Sequence, residues 1–138
     1  MPYFINPVEE DLCLYLTYEG NLSMIEIVSA RYGANTLLAE KRWNRMVVDI
    51  TGLLSKFTAH ELFALAKGLS GGVPESVRIA LVARPDQARQ AKLIESVARN
   101  DGLFLSFFLD VEEATIWAKG TKFDKCLKAR PAANPVEV

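Results

Sequence analysis

Three carboxylates and a guanidinium sit just past the apolar runs of this 138-residue chain. Asp49, with Thr51 and Ser55 after it, closes the run that starts at Met46. Arg84, Asp86 and Gln87 follow the run Val77 to Ala83, and Asp110 follows Leu103 to Leu109. Carboxylates brought together can exchange a proton with a substrate or hold a divalent cation. Asp49, Arg84, Asp86 and Asp110 are therefore candidate ligands at one strand edge. A plainer account competes: Asp86 and Asp110 stand where helix starts need acceptors, and Arg84 can pair with either. The remaining inventory argues against an enzyme. His60 is the single histidine, which leaves no His-rich zinc set, and a triad would have to use a residue in the first turn of a helix. There is no GxGxxG, no GxxxxGK[ST] and no nucleophile elbow. The expectation is no catalytic residue, no metal and no cofactor.

The elements that would position these groups follow from periodicity. Four runs read as strands: Leu12 to Tyr18, Met46 to Thr51, Val77 to Ala83 and Leu103 to Leu109. Leu12, Leu14 and Leu16 share one face of the first. The second and fourth are apolar on both faces, as in strands covered by helices on two sides. Helices alternate with them. Ser23 with Glu26, Thr58 with Glu61, and Asp110 with Glu113 have capping-box spacing, and Pro85 suits the first turn of another helix. The expected core stripes are Met24, Ile27, Val28, Ala34 and Leu38; then Leu62, Leu65, Ala66 and Leu69. Ala91, Ile94, Val97 and Ala98 follow, and finally Ala114, Trp117 and Ala118. Gly120 is a stop, and Ser70 to Pro74 a turn. The order β-α-β-α-β-α-β-α predicts an α/β fold with a four-stranded, mainly parallel sheet.

Composition bounds the rest. Half the residues are hydrophobic and the net charge is −1, so the chain folds and lacks the cationic excess of a nucleic-acid binder. Two cysteines, Cys13 and Cys126, are too few for a disulfide scaffold and read as reduced thiols. The start lacks signal-peptide features, and no apolar run is long enough to span a membrane, so a cytoplasmic protein is expected. One α/β domain should occupy residues 1–120. Residues 121–138 read as a basic, partly flexible tail, with Lys122, Lys125, Lys128 and Arg130 against Asp124 and Glu137.

Two segments bring a family into view. Val47-Val48-Asp49-Ile50-Thr51-Gly52-Leu53 is similar to the strand ending in Asp-apolar-Ser-Gly of the STAS or SpoIIAA-like family, the anti-sigma-factor antagonists. Phe107 to Trp117 resembles the last strand, loop and helix of single-domain bacterial members without an assigned function. The resemblance covers about residues 11–119. It implies a SpoIIAA-like sandwich and a non-enzymatic regulatory module that docks a protein partner around Thr51, Ser55 and Thr58. A phosphate switch is implied as well, although the Asp before and the Gly after the family's phosphoacceptor are absent around Thr58. The bland account of Thr58 is a helix cap. Two rivals stay open: a carrier with an apolar pocket for a small molecule or lipid, and a small enzyme at the carboxylate edge. A homodimer is a further open alternative.

Overall fold

The computed structural model of the chain describes residues 3–68 and 77–120. Leu69, the turn Ser70 to Pro74, Cys126 and the basic tail lie outside the described residues. Those described form β1 (Tyr3–Val8), β2 (Cys13–Gly20), α1 (Met24–Lys41), β3 (Arg45–Leu53), α2 (Ala59–Gly68), β4 (Arg78–Val82), α3 (Ala88–Asn100), β5 (Phe104–Phe108) and α4 (Val111–Lys119). The strands make one sheet in the order β1-β2-β3-β4-β5. β2 to β5 are parallel, as expected.

The sheet has five strands rather than four. β1 is antiparallel to β2, with Tyr3 opposite Tyr18 and Val8 opposite Cys13. Asn6 and Pro7 hide β1 in the sequence, because they break its apolar alternation. The fold accepts Pro7 because β1 is an edge strand, where a missing ladder donor does little harm.

Strand order and handedness set the layers. Each parallel strand lies beside its predecessor, and right-handed crossovers then put every intervening helix on the same face. α1, α2 and α3 accordingly share one core with the sheet: Leu14, Leu16, Met46, Ile79 and Leu105 meet Ile27, Ala30, Ala34, Leu38, Ala91 and Ala98. α4 follows the last strand and covers the opposite face, where Ala114 and Ala118 pack on Cys13, Val47, Ala80 and Val82. Small residues on both sides of that second core let α4 approach closely.

Local chemistry starts the helices where the sequence suggests. Ser23 Oγ accepts from the Glu26 N–H at 3.2 Å, and the Glu26 carboxylate accepts from the Ser23 N–H at 2.8 Å. Thr58 and Glu61 repeat the exchange at 3.1 and 2.9 Å. Asp110 accepts from the Glu113 N–H at 3.2 Å, and Gly120 ends α4 in the left-handed region, at φ 58°. Pro85 opens a single 3₁₀ turn (Pro85–Gln87) ahead of α3 rather than α3 itself.

Several core assignments need correction. Val28 is exposed, and Ala30 and Asn35 take its place in the buried stripe of α1. Leu12 is exposed in the β1–β2 turn, at φ 51°, so the face of β2 toward the larger core is Leu14, Leu16 and Tyr18. Phe104 is exposed, while Phe107 and Phe108 pack on opposite cores.

The outer edge of β5 is covered by side chains of α3. Glu95 accepts from the Phe107 N–H at 2.8 Å, and Arg99 donates to the Leu105 carbonyl at 2.8 Å and to Ser106 Oγ. These groups would otherwise offer a bare ladder to another chain.

Two outcomes test this reading. Ser23→Ala removes an N-cap acceptor and should destabilise the fold by about 1 kcal/mol in urea titration. Cys13 is a free, buried thiol, and burial together with the Asp11 charge pushes it up to about 11. Its stability contribution is therefore complete below the ordinary thiol range and fades as pH rises toward that value. Iodoacetamide at mildly alkaline pH should spare Cys13 in the native protein and label it in urea, as read by peptide mass mapping.

Candidate functional site

The larger face of the sheet is not filled. A cavity of about 440 Å³ lies between α1, α2, α3 and the sheet. Its floor is Leu16, Met46, Val48, Ile79, Leu81 and Leu105, one row from each parallel strand. α2 roofs it through Leu62, Leu65 and Ala66, and Ile94 of α3 closes one side. α2, the middle helix on this face, is described over Ala59–Gly68 and buries Leu62 and Ala66. Side chains of protein interiors normally close such space to voids no larger than a water.

Polar groups stand along the cavity wall: Tyr18 and Arg31 on one flank; Ser55, Lys56, Arg84, Asp86 and Gln87 on another. The Tyr18 hydroxyl donates to the Ile27 carbonyl at 3.1 Å, and burial pushes its pKa well above the usual phenol range. Ser55 Oγ accepts from the Leu22 N–H at 2.6 Å and donates to the Leu22 carbonyl at 2.7 Å. That pair of bonds ties the β3–α2 loop to the β2–α1 loop.

Arg84 works mainly on backbone. β3 runs on to Leu53, whereas its pairing with β4 stops at Asp49 opposite Val82. Beyond that point Arg84 donates to the carbonyls of Thr51 and Leu53, and Gln87 donates to those of Ile50 (2.8 Å) and Leu53 (3.3 Å). Side chains from the 3₁₀ turn thus replace ladder donors that β4 is too short to supply. The same guanidinium forms a two-bond ion pair with Asp86, at 2.9 and 3.3 Å. The hydrogen bond from Arg84 holds the Asp86 carboxyl below the usual carboxylate range.

The strand-edge candidates therefore separate. Arg84 and Asp86 meet at the cavity wall. Asp49 alternates onto the other face, with Val47, and its Oδ1 accepts from the Thr51 N–H (2.9 Å) and hydroxyl (2.7 Å). Asp110 caps α4. Among the described residues, no group of three or more His, Cys, Asp and Glu side chains is arranged to hold a metal ion. Ser55 lines the cavity, Thr51 binds Asp49, and Thr58 caps α2 in an exposed position. Sequence reasoning missed Arg31 as a site residue. A lone cation inside a helix carries no motif, and only the void beneath α2 sets it apart.

No family model matches the chain, and no curated protein matches it. Among solved structures it is similar to that of an uncharacterized protein of the DUF3478 family with a SpoIIAA-like fold from Shewanella loihica PV-4. The two share 21% identity over 84% of this chain and 91% of that one, with a TM-score of 0.53. The chain thus has a SpoIIAA-like fold. No helix among the described residues is long and apolar enough to cross a membrane.

The wall chemistry makes two predictions. Gln87→Met keeps the stem but strips a donor from the Ile50 carbonyl, and should lower stability by about 1 kcal/mol in urea. Because Asp86 is depressed in the fold, its contribution is present above the ordinary carboxylate range and lost as pH falls through its lowered pKa. Asp86→Asn should flatten the acid limb of a stability–pH profile and leave the alkaline limb unchanged.

Proposed function

We propose that the chain is a non-enzymatic binding module that takes an apolar small molecule into the cavity beneath α2. One observation carries this: an open, apolar-floored cavity of about 440 Å³, within the range of about 300–1,000 Å³ typical of small-molecule sites. An empty cavity forfeits dispersion contacts along its lining, and a ligand tail would restore them. The commitments of the carboxylates support a non-enzymatic role. Asp49 is held by Thr51, Asp86 by Arg84 and Asp110 by the first turn of α4. None is a free acid or base facing the cavity.

The regulatory reading, with a protein partner and a phosphate switch, is favoured by one feature. Thr58 is exposed at the start of α2, a helix that roofs the cavity, whereas both hydrogen bonds of the Ser55 hydroxyl are engaged. A phosphate on Thr58 would meet the positive end of α2, but it would also repel Glu61 and break the capping box. Phosphate mapping in cells is the check on that switch, and unmodified Thr58 across growth conditions would remove it.

Native mass spectrometry of gently purified protein tests the main reading. The expected result is a retained small molecule, together with saturable uptake of an environment-sensitive apolar dye. Val48→Phe, which fills the cavity floor, should weaken dye binding by about tenfold or more while far-UV circular dichroism stays native. A bare mass combined with no saturable dye binding would end the proposal.

A further inference from the structure

The cavity wall carries an unbalanced charge. Three cations, Arg31, Lys56 and Arg84, face one carboxylate, Asp86, although the chain as a whole is slightly acidic. Arg84 is occupied by Asp86 and by backbone carbonyls, and Lys56 is exposed. Arg31 differs from both. It reaches from α1 to α2, half-buried, and donates one hydrogen bond, from Nη1 to the Leu65 carbonyl at 3.0 Å. No carboxylate among the described residues pairs with it. Gly68 leaves it room, since a β-carbon there would stand 3.0 Å from Arg31 Nη2.

A guanidinium has five N–H donors, and among the described residues one of Arg31's is accepted, by the Leu65 carbonyl. The bond to Leu65 clips α1 to α2, yet a neutral donor would do that without bringing a charge against an apolar cavity. Burying a cation without a counter-charge is unfavourable, and burial does lower the Arg31 pKa; an arginine nevertheless stays charged at neutral pH. An anion seated in the cavity would accept from the remaining donors of the guanidinium.

We propose that the cavity ligand is an amphipathic anion, with its tail over the apolar floor and its carboxylate or phosphate head on Arg31. The inference rests on the cavity reading above and adds the polarity and anchor of the ligand.

Three probes with one tail and different heads separate the two: decanoate, decyl phosphate and decanol. Each is titrated at neutral pH by displacement of the apolar dye, the two anions below their micelle concentrations and decanol below its solubility limit. The intact protein should bind at least one anion about tenfold or more tighter than decanol, the scale of one charge-assisted hydrogen bond. Arg31→Met should erase that preference by weakening the anions and leaving decanol unchanged. Arg31→Lys, which keeps the charge and loses the fork, should fall between, and Lys56→Met should retain the preference. Decanol binding as tightly as both anions in the intact protein overturns the anionic head, as does a preference that survives Arg31→Met, and both results leave the cavity standing. Failure of all three probes to displace the dye removes decyl-tailed ligands and this inference. Failure of the dye to bind at all removes the cavity reading itself.

Discussion

Three helices cover one face of this sheet, as the right-handed crossover rule requires when parallel strands follow one another without a skip. α1 lies over β1 and β2, and α3 over β5. The middle of the face is left to α2, the shortest of the three. Over its described residues α2 buries Leu62 and Ala66, and the cavity lies beneath it. On the opposite face the nine-residue α4 seats two alanines against Val47, Ala80 and Val82. One sheet thus carries a cavity on one face and a core of small residues on the other.

Unequal strand length explains the polar wall in the same way. β3 outruns β4 by the stretch from Ile50 to Leu53, and carbonyls left without a neighbouring strand need donors. Arg84 and Gln87 supply them from a turn that Pro85 fixes in place. Their position at the cavity wall is then a by-product of mending the sheet, whereas Arg31 reaches the wall from α1 and bonds the Leu65 carbonyl of α2.

Legibility divides along the range of the interaction. The caps at Ser23, Thr58 and Asp110 were readable because their partners lie three residues away. β3 and β5 are legible because burial on both faces writes an unbroken apolar run, and the SpoIIAA-like fold through the two segments, Val47 to Leu53 and Phe107 to Trp117, that resemble the family. β1 is not, since an edge strand tolerates Asn6 and Pro7. Val28 and Leu12 are exposed against their periodicity, because periodicity fixes which residues share a face, not how far a helix or a sheet extends over that face. Arg84 looked like a ligand because the donors missing from β4 are invisible until both strands are aligned. The cavity itself had no signature: each lining residue is an ordinary core residue, and the void is a property of where α2 sits.

The side chains on β5 bear on how copies of this chain can meet. Glu95 and Arg99 occupy the outward N–H of Phe107 and the outward carbonyl of Leu105, one turn of α3 reaching over the rim of the sheet. A second molecule adding a strand there would have to break both bonds, taking the Phe107 N–H from Glu95 and the Leu105 carbonyl from Arg99. Sheet extension through β5 is therefore disfavoured by the protein's own side chains, and any symmetric pairing of two copies is steered toward helix faces or the β1 side instead. Growth into fibrils is blunted at the same place, without a proline or a bulge in β5.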